Sequence, residues 1–175
     1  MILHYLRQKE NKDQAKANII YTDIINLVNL FFKNNINFDK RNFLNTFYIT
    51  SFFLYITFYI TKSNLDKNSK IISQNLMDNF INDLDHTLSL EGVGDMKIGK
   101  FVKFYVKKFY YYLKIFDKRV SKKNTIKVNE FFIENGFFSD FNLEFEQVEI
   151  IYKLIKKLIV ILKKHQINSS VFIKL

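Results

Sequence analysis

The stretch that comes nearest to a chemical motif is Gly94-Asp95-Met96-Lys97-Ile98-Gly99-Lys100-Phe101, which has the G-x-x-x-x-G-K spacing of a phosphate-binding loop. Phe101 stands where such a loop carries the Ser or Thr hydroxyl that holds magnesium, and a helical pattern precedes it where a strand is required. The stretch is therefore read as a helix, a turn and a second helix. Asp78, Asp83, Asp85, Glu91 and Asp95 lie close together in the chain. Carboxylates do acid–base work only where their surroundings push their pKa values apart, and the spacing of a calcium loop is absent. These acids are read as a solvated or salt-bridged helix end. His4, His86 and His165 are widely separated, and the absence of cysteine excludes disulfides, thiolate metal sites and cysteine nucleophiles. No Gly-x-Ser-x-Gly or His-Glu-x-x-His arrangement occurs. The residues point to a protein that binds, with no catalytic set, no metal and no cofactor.

Charge supplies the stronger signal. The chain has 27 Lys and Arg against 17 Asp and Glu, a formal charge of +10. At 100° per residue Lys100, Lys103, Lys107, Lys114 and Lys118 fall within an arc of roughly 60° on one helix. Opposite them lie Phe101, Val102, Tyr105, Phe109, Tyr112, Leu113, Phe116 and Val120. Between Lys97 and Lys127 the only acid is Asp117. Such a stripe fits a solvated helix face, a contact with membrane or nucleic acid, or a dock for an acidic partner. Lys153, Lys156, Lys157, Lys163 and Lys164 give the last helix a comparable capacity for anionic lipid.

The elements that position these residues follow from pattern. With 48% hydrophobic and 17% aromatic residues, no Pro and 4 Gly, a chain of 175 residues can pack a core and meets few forced breaks. The expected fold is all-α, one compact domain over 1–175 of about five to seven helices with no sheet, residues 1–16 being a loosely attached segment. Neither a secretory signal nor a transit peptide is recognisable there. Ile20, Ile24, Leu27, Val28 and Phe31 predict a helix over about Ala17 to Lys33. Asp39 is the expected N-cap of a second helix running to about Thr61. No charge occurs from Asn42 to Thr61, long enough for a membrane span, but its Thr, Ser and Asn content favours a central buried helix. Ile72, Leu76, Phe80, Leu84 and Leu88 predict a third helix, closed by Gly92 in the left-handed C′ position, with Asp95 capping the fourth, about Met96 to Val120. A short helix over about Val128 to Asn135 and a last one over about Leu143 to His165 complete the series. Phe52, Leu54, Ile56 and Phe80 are expected in the interior.

Leu76-Met77-Asp78, Asp83-Leu84-Asp85, Leu88, Gly92-Val93-Gly94-Asp95, Lys100, Lys103 and Phe109-Tyr110 together resemble the ubiquinol-cytochrome c chaperone family. Its pattern is an Asp-x-Asp helix, a Gly-Val-Gly-Asp turn and a basic helix bearing Phe-Tyr. Tyr21, Phe32, Asp39, Arg41 and Phe43 extend the likeness upstream. The chain departs from the pattern at Ser89-Leu90, at Tyr111-Tyr112 and around Thr50-Ser51, where a His is common. The resemblance implies an all-helical, non-catalytic chaperone without cofactor that binds newly made cytochrome b and assists assembly of the cytochrome bc complex, with a small second assembly factor as a further partner. Together with the basic stripe it gives expected partner contacts at Asp83, Asp85, Gly92, Val93, Gly94, Asp95, Lys100, Lys103, Lys107, Phe109 and Tyr110. Ribosome contact and peripheral contact with an anionic membrane are compatible with the charge, and DNA is not expected. The expected location is the cytoplasm at the inner membrane, or the matrix side in a eukaryote. The alternatives are a basic RNA- or ribosome-binding protein and a small membrane protein spanning through 42–61.

Overall fold

The computed structural model describes residues 2–34, 42–63, 67–119, 125–127, 145–167 and 172–174. Five helices stand among them: α1 (Ile2–Asn34), α2 (Phe43–Ser63), α3 (Lys67–Leu90), α4 (Asp95–Arg119) and α5 (Phe145–Lys164). The fold is all-α, as expected. Besides the helices, β1 (Thr125–Lys127) pairs in parallel with β2 (Phe172–Lys174), Ile126 opposite Ile173. Both triplets carry β-branched or aromatic residues, the types that suit a strand. The expected helix over Val128–Asn135 and the expected Asp39 cap lie outside the described residues.

α2 is the centre. Every residue from Phe47 to Thr57 is buried, on all sides of the helix, and α1, α3, α4 and α5 all pack against it. α2 is the one helix among the described residues long and apolar enough to cross a membrane, and 67% of that span is buried by its neighbours. Its hydrophobicity is thus accounted for by protein packing. Two of the buried hydroxyls that made the span unattractive for lipid are satisfied within the helix. Thr57 Oγ1 donates to the Phe53 carbonyl at 2.8 Å and Thr61 Oγ1 to the Phe58 carbonyl at 3.0 Å. Thr61 also meets Ser73 of α3 at 2.9 Å. Ser51 Oγ, buried in the same helix, has no hydrogen-bond partner among the described residues and so costs the core part of its desolvation.

The other helices each turn one apolar stripe toward α2. Ile20, Ile24, Leu27, Val28 and Phe31 of α1, the Ile72-to-Leu88 series of α3, and Ile151, Leu154, Ile155, Leu158 and Leu162 of α5 are all buried. Phe52, Leu54, Ile56 and Phe80 lie in the interior as expected. Asn79 Nδ2 of α3 donates to Asn18 Oδ1 of α1 at 2.9 Å, and one turn further along Tyr21 meets Asp83, so α1 and α3 run parallel. α2 and α4 also run parallel, with Phe43 against Tyr105 near one end and Lys62 against Asp117 near the other.

Two helix ends, the starts of α1 and α4, differ from expectation. α1 begins at Ile2 rather than near Ala17. No Gly or Pro interrupts residues 2–16, so nothing there stops a helix. α2 is capped by Asn42, whose Oδ1 accepts from the Asn45 backbone N–H at 2.8 Å. At α4 the cap is Gly94, whose carbonyl accepts from Lys97 and Ile98, and Asp95 is the first helical residue. There its charge still favours the helix N-terminus.

The α3 terminus is as expected. Gly92 has φ +84°, its N–H donates to Ser89, and the Val93 N–H donates to Leu88, the two bonds of a Schellman turn. α5 ends the same way, with Gln166 at φ +61° and Ile167 N–H donating to Leu162 at 2.9 Å. A Cβ placed on Gly92 or Gly99 meets nothing within 4 Å, so substitutions there are decided by backbone preference alone. Gly92→Val should lower unfolding free energy by about 1 kcal/mol or more, because a β-branched side chain resists positive φ. Gly99→Ala, inside α4, and Gln166→Gly should each raise it by roughly 0.5–1 kcal/mol. Urea denaturation of the three variants checks this, and an unchanged Gly92→Val midpoint would contradict the account of the corner.

Candidate functional site

The corner between α3 and α4 and the outer face of α4 carry most of the residues singled out in the sequence. Asp85 is exposed on α3, Gly92 and Gly94 form the exposed turn, Val93 is half-buried, and Asp95, Lys100, Lys103 and Lys107 are exposed beyond it. Lys114 and Lys118 continue the exposed stripe. The segment Gly94–Lys100 enters α4 directly, so it is a helix start and not a phosphate-cradling loop. Among the described residues no three His, Asp or Glu side chains converge as a metal site.

Two of the expected contact residues are brought elsewhere. Phe109 is 0% exposed and sits at the junction of three helices, 4.8 Å from Tyr55, 5.0 Å from Phe80 and 6.0 Å from Phe58 between ring centroids. Phe116 continues the cluster 5.9 Å from Tyr55. Offset and edge contacts of this kind add to the burial of the rings, so Phe109 anchors α4 to α2 and α3. Asp83 is half-buried and accepts a 2.7 Å hydrogen bond from the Tyr21 hydroxyl, tying α3 to α1. Tyr110, next to Phe109, points the other way. It is exposed and borders a groove of about 380 Å³ whose floor includes Phe58, Met77 and Leu113 and whose rim includes Lys62 and Lys70.

The burial axis of α4 runs through Ile98, Phe109 and Phe116. That leaves Phe101, expected on the buried side, exposed at the edge of the packed face. It also leaves outside Met96 (98% exposed), Phe104 (58%) and Tyr111 (63%), and Leu90 at the end of α3 is 75% exposed beside them. The spacing of Phe104 and Tyr111, four residues after Lys100 and Lys107, was the available signal, since residues four apart share a helix face. α4 carries eight basic residues against two acidic ones. Asp117, one of the two, is bridged to Lys62 at 2.7 Å. An exposed pair of this type contributes little stability, but it removes the acid from the stripe. Lys108 lies off the stripe, donating to the Tyr48 hydroxyl and lying 4.7 Å from its ring centroid.

Burial, then the Asp83 charge, then the hydrogen bond to Asp83 push the Tyr21 phenol well above the ordinary tyrosine value. Burial raises the Tyr55 phenol too, with the neighbouring Ser51 hydroxyl opposing the shift. A phenol held protonated in the folded state contributes its full share below the unfolded value of 10.0 and loses it as pH climbs from there toward the folded value. Stability should therefore fall above pH 10, by up to about 1.4 kcal/mol per pH unit for each such phenol. Tyr21→Phe should cost about 1–2 kcal/mol at neutral pH by leaving Asp83 without its donor, and should flatten the alkaline decline. Urea titrations of both proteins from neutral to alkaline pH test this. Equal alkaline slopes would remove Tyr21 from the account.

The family model of the ubiquinol-cytochrome C chaperones matches residues 39–159. The matched region contains α2, α3 and α4 whole, the corner and its basic face, and most of α5. Comparison with curated proteins and with solved structures gave no significant match. A match over more than half of the chain, centred on the helices that build the corner, shows that the chain belongs to the ubiquinol-cytochrome c chaperone family.

Proposed function

We propose that this protein is a non-catalytic chaperone in assembly of the ubiquinol-cytochrome c reductase (cytochrome bc) complex, that its client is newly made cytochrome b, and that it works at the inner membrane. The family match carries the reading. The surface is of a kind that suits it: an exposed corner and an apolar-floored groove, bordered by Tyr110 and rimmed by Lys62 and Lys70, offer a membrane protein's apolar segment a place to bind without any reacting group. A small second assembly factor would be accommodated on the same scaffold, and contact with the ribosome would deliver the client as it is made.

Cells lacking the gene should lose most of the b-type haem absorbance of the bc complex, with the c-type signal of the same complex falling in step and other respiratory complexes retained. Difference spectra of membranes, with affinity capture of the tagged protein to look for cytochrome b, make the measurement. Unaltered spectra in the deletion strain would overturn the assignment.

A further inference from the structure

We infer that the outer face of α4 is a lipid-contact surface that lies in the headgroup layer of an anionic membrane. The observation is the mixture of residues on that face. At 100° per residue Met96, Phe104 and Tyr111 fall on the same outward arc of roughly 100° as Lys100, Lys103, Lys107, Lys114 and Lys118. All eight are exposed, and Leu90 projects from the corner just before them. Single exposed apolar residues are ordinary, but here large apolar side chains alternate with cations along a helix about 37 Å long. Among the described residues none of the five lysines is in an ion pair, and Asp117 is occupied by Lys62.

Four physical arguments favour lipid over other anionic partners. Lysine stems lie along apolar surface while their ammonium groups reach up to phosphates, so Phe104, Met96 and Tyr111 can enter the acyl boundary with lysines flanking them. Aromatic residues are also enriched at that depth. The cationic positions on the arc are all lysine; a nucleic-acid face would gain from arginine, whose planar fork binds phosphate in pairs and stacks on bases. The centre of a protein interface is depleted of lysine, and this arc has lysine throughout. The inference is independent of the client's identity, because it concerns the chain alone with a membrane, while haem spectra test the chaperone reading.

The experiment uses the purified full chain with vesicles of phosphatidylcholine, with and without phosphatidylglycerol, in flotation. Binding should require the anionic lipid and weaken as salt is raised. Lys100→Glu, Lys103→Glu and Lys107→Glu together should reduce partitioning by roughly tenfold or more. Phe104→Ser with Tyr111→Ser should reduce it several-fold at unchanged charge, which separates insertion from charge attraction alone. Circular dichroism should match wild type for both variants, since exposed substitutions rarely disturb a fold. The chain has no tryptophan, so Phe104→Trp gives a single reporter whose emission should shift to the blue on anionic vesicles, whereas Ile19→Trp, exposed on α1, should not respond. The proposal is overturned if folded wild type stays off anionic vesicles or if the Phe104→Trp emission does not move. It is overturned equally if single-stranded RNA, at equal phosphate, displaces the chain from the vesicles.

Discussion

A helix of 21 residues whose one charge, Lys62, lies in its last turn cannot be left against water, and in this molecule α2 is enclosed by every other helix. That constraint sets the architecture. Four amphipathic helices each contribute one apolar stripe, and their polar faces are left to form the surface. The aromatic rings of Phe47, Tyr55, Phe80, Phe109 and Phe116 make the contact continuous between α2, α3 and α4. Since rings this large have few alternative packings in a dense interior, they also fix the rotation of α4 about its axis. The direction in which the lysine face looks is thus decided by Phe109 and Phe116 on its far side.

Much of this was legible in the sequence because it rests on periodicity. The stripes of α1, α3 and α5, the central burial of Phe52, Leu54 and Ile56, and the left-handed Gly92 all follow from residue type and spacing. The parts that were not legible turn on choices between near-equals. Asn42 and Asp39 are both good caps, and only the structure shows where α2 starts. Glycine at position 94 could give its carbonyl to the helix as readily as Asp95 could give its side chain. The upstream reach of α1 has no apolar stripe strong enough to announce it, only the absence of a breaker. The β1–β2 ladder, formed by triplets distant in the chain, has no local pattern at all. The expectation of no sheet is therefore corrected at these two triplets.

The candidate site shows the same division. Family likeness picked out the Asp83-to-Tyr110 tract as a unit, yet the residues within it divide between two tasks. Asp83 and Phe109 hold helices together, whereas Asp85, the corner and the lysines face outward. A pattern of residue types does not distinguish them, because an aspartate that accepts from a tyrosine and one that faces solvent are the same letter. The exposed Phe104 and Tyr111 were hidden for the converse reason: aromatic residues are presumed internal, and with a tract as rich as Phe101 to Tyr112 the buried side must be located within about 40° before the outer ones can be named.

The parallel pairing of β1 with β2 places α5 inside a closed crossover, and this bears on the order of folding. Contacts between α3 and α4 span a short corner that the Schellman turn pre-forms, so they close at small entropic cost. Contacts of α1 with α5, and of β1 with β2, join segments far apart in the chain and reward the search only after both ends are in place. The expected sequence of events is an early α3–α4 hairpin with α2 condensed against it, followed by late docking of α5. Until that last step the stripe from Val148 to Leu162 would stay open to water, making the slowest-forming contact also the one through which an incompletely folded molecule is most exposed to association with its own copies.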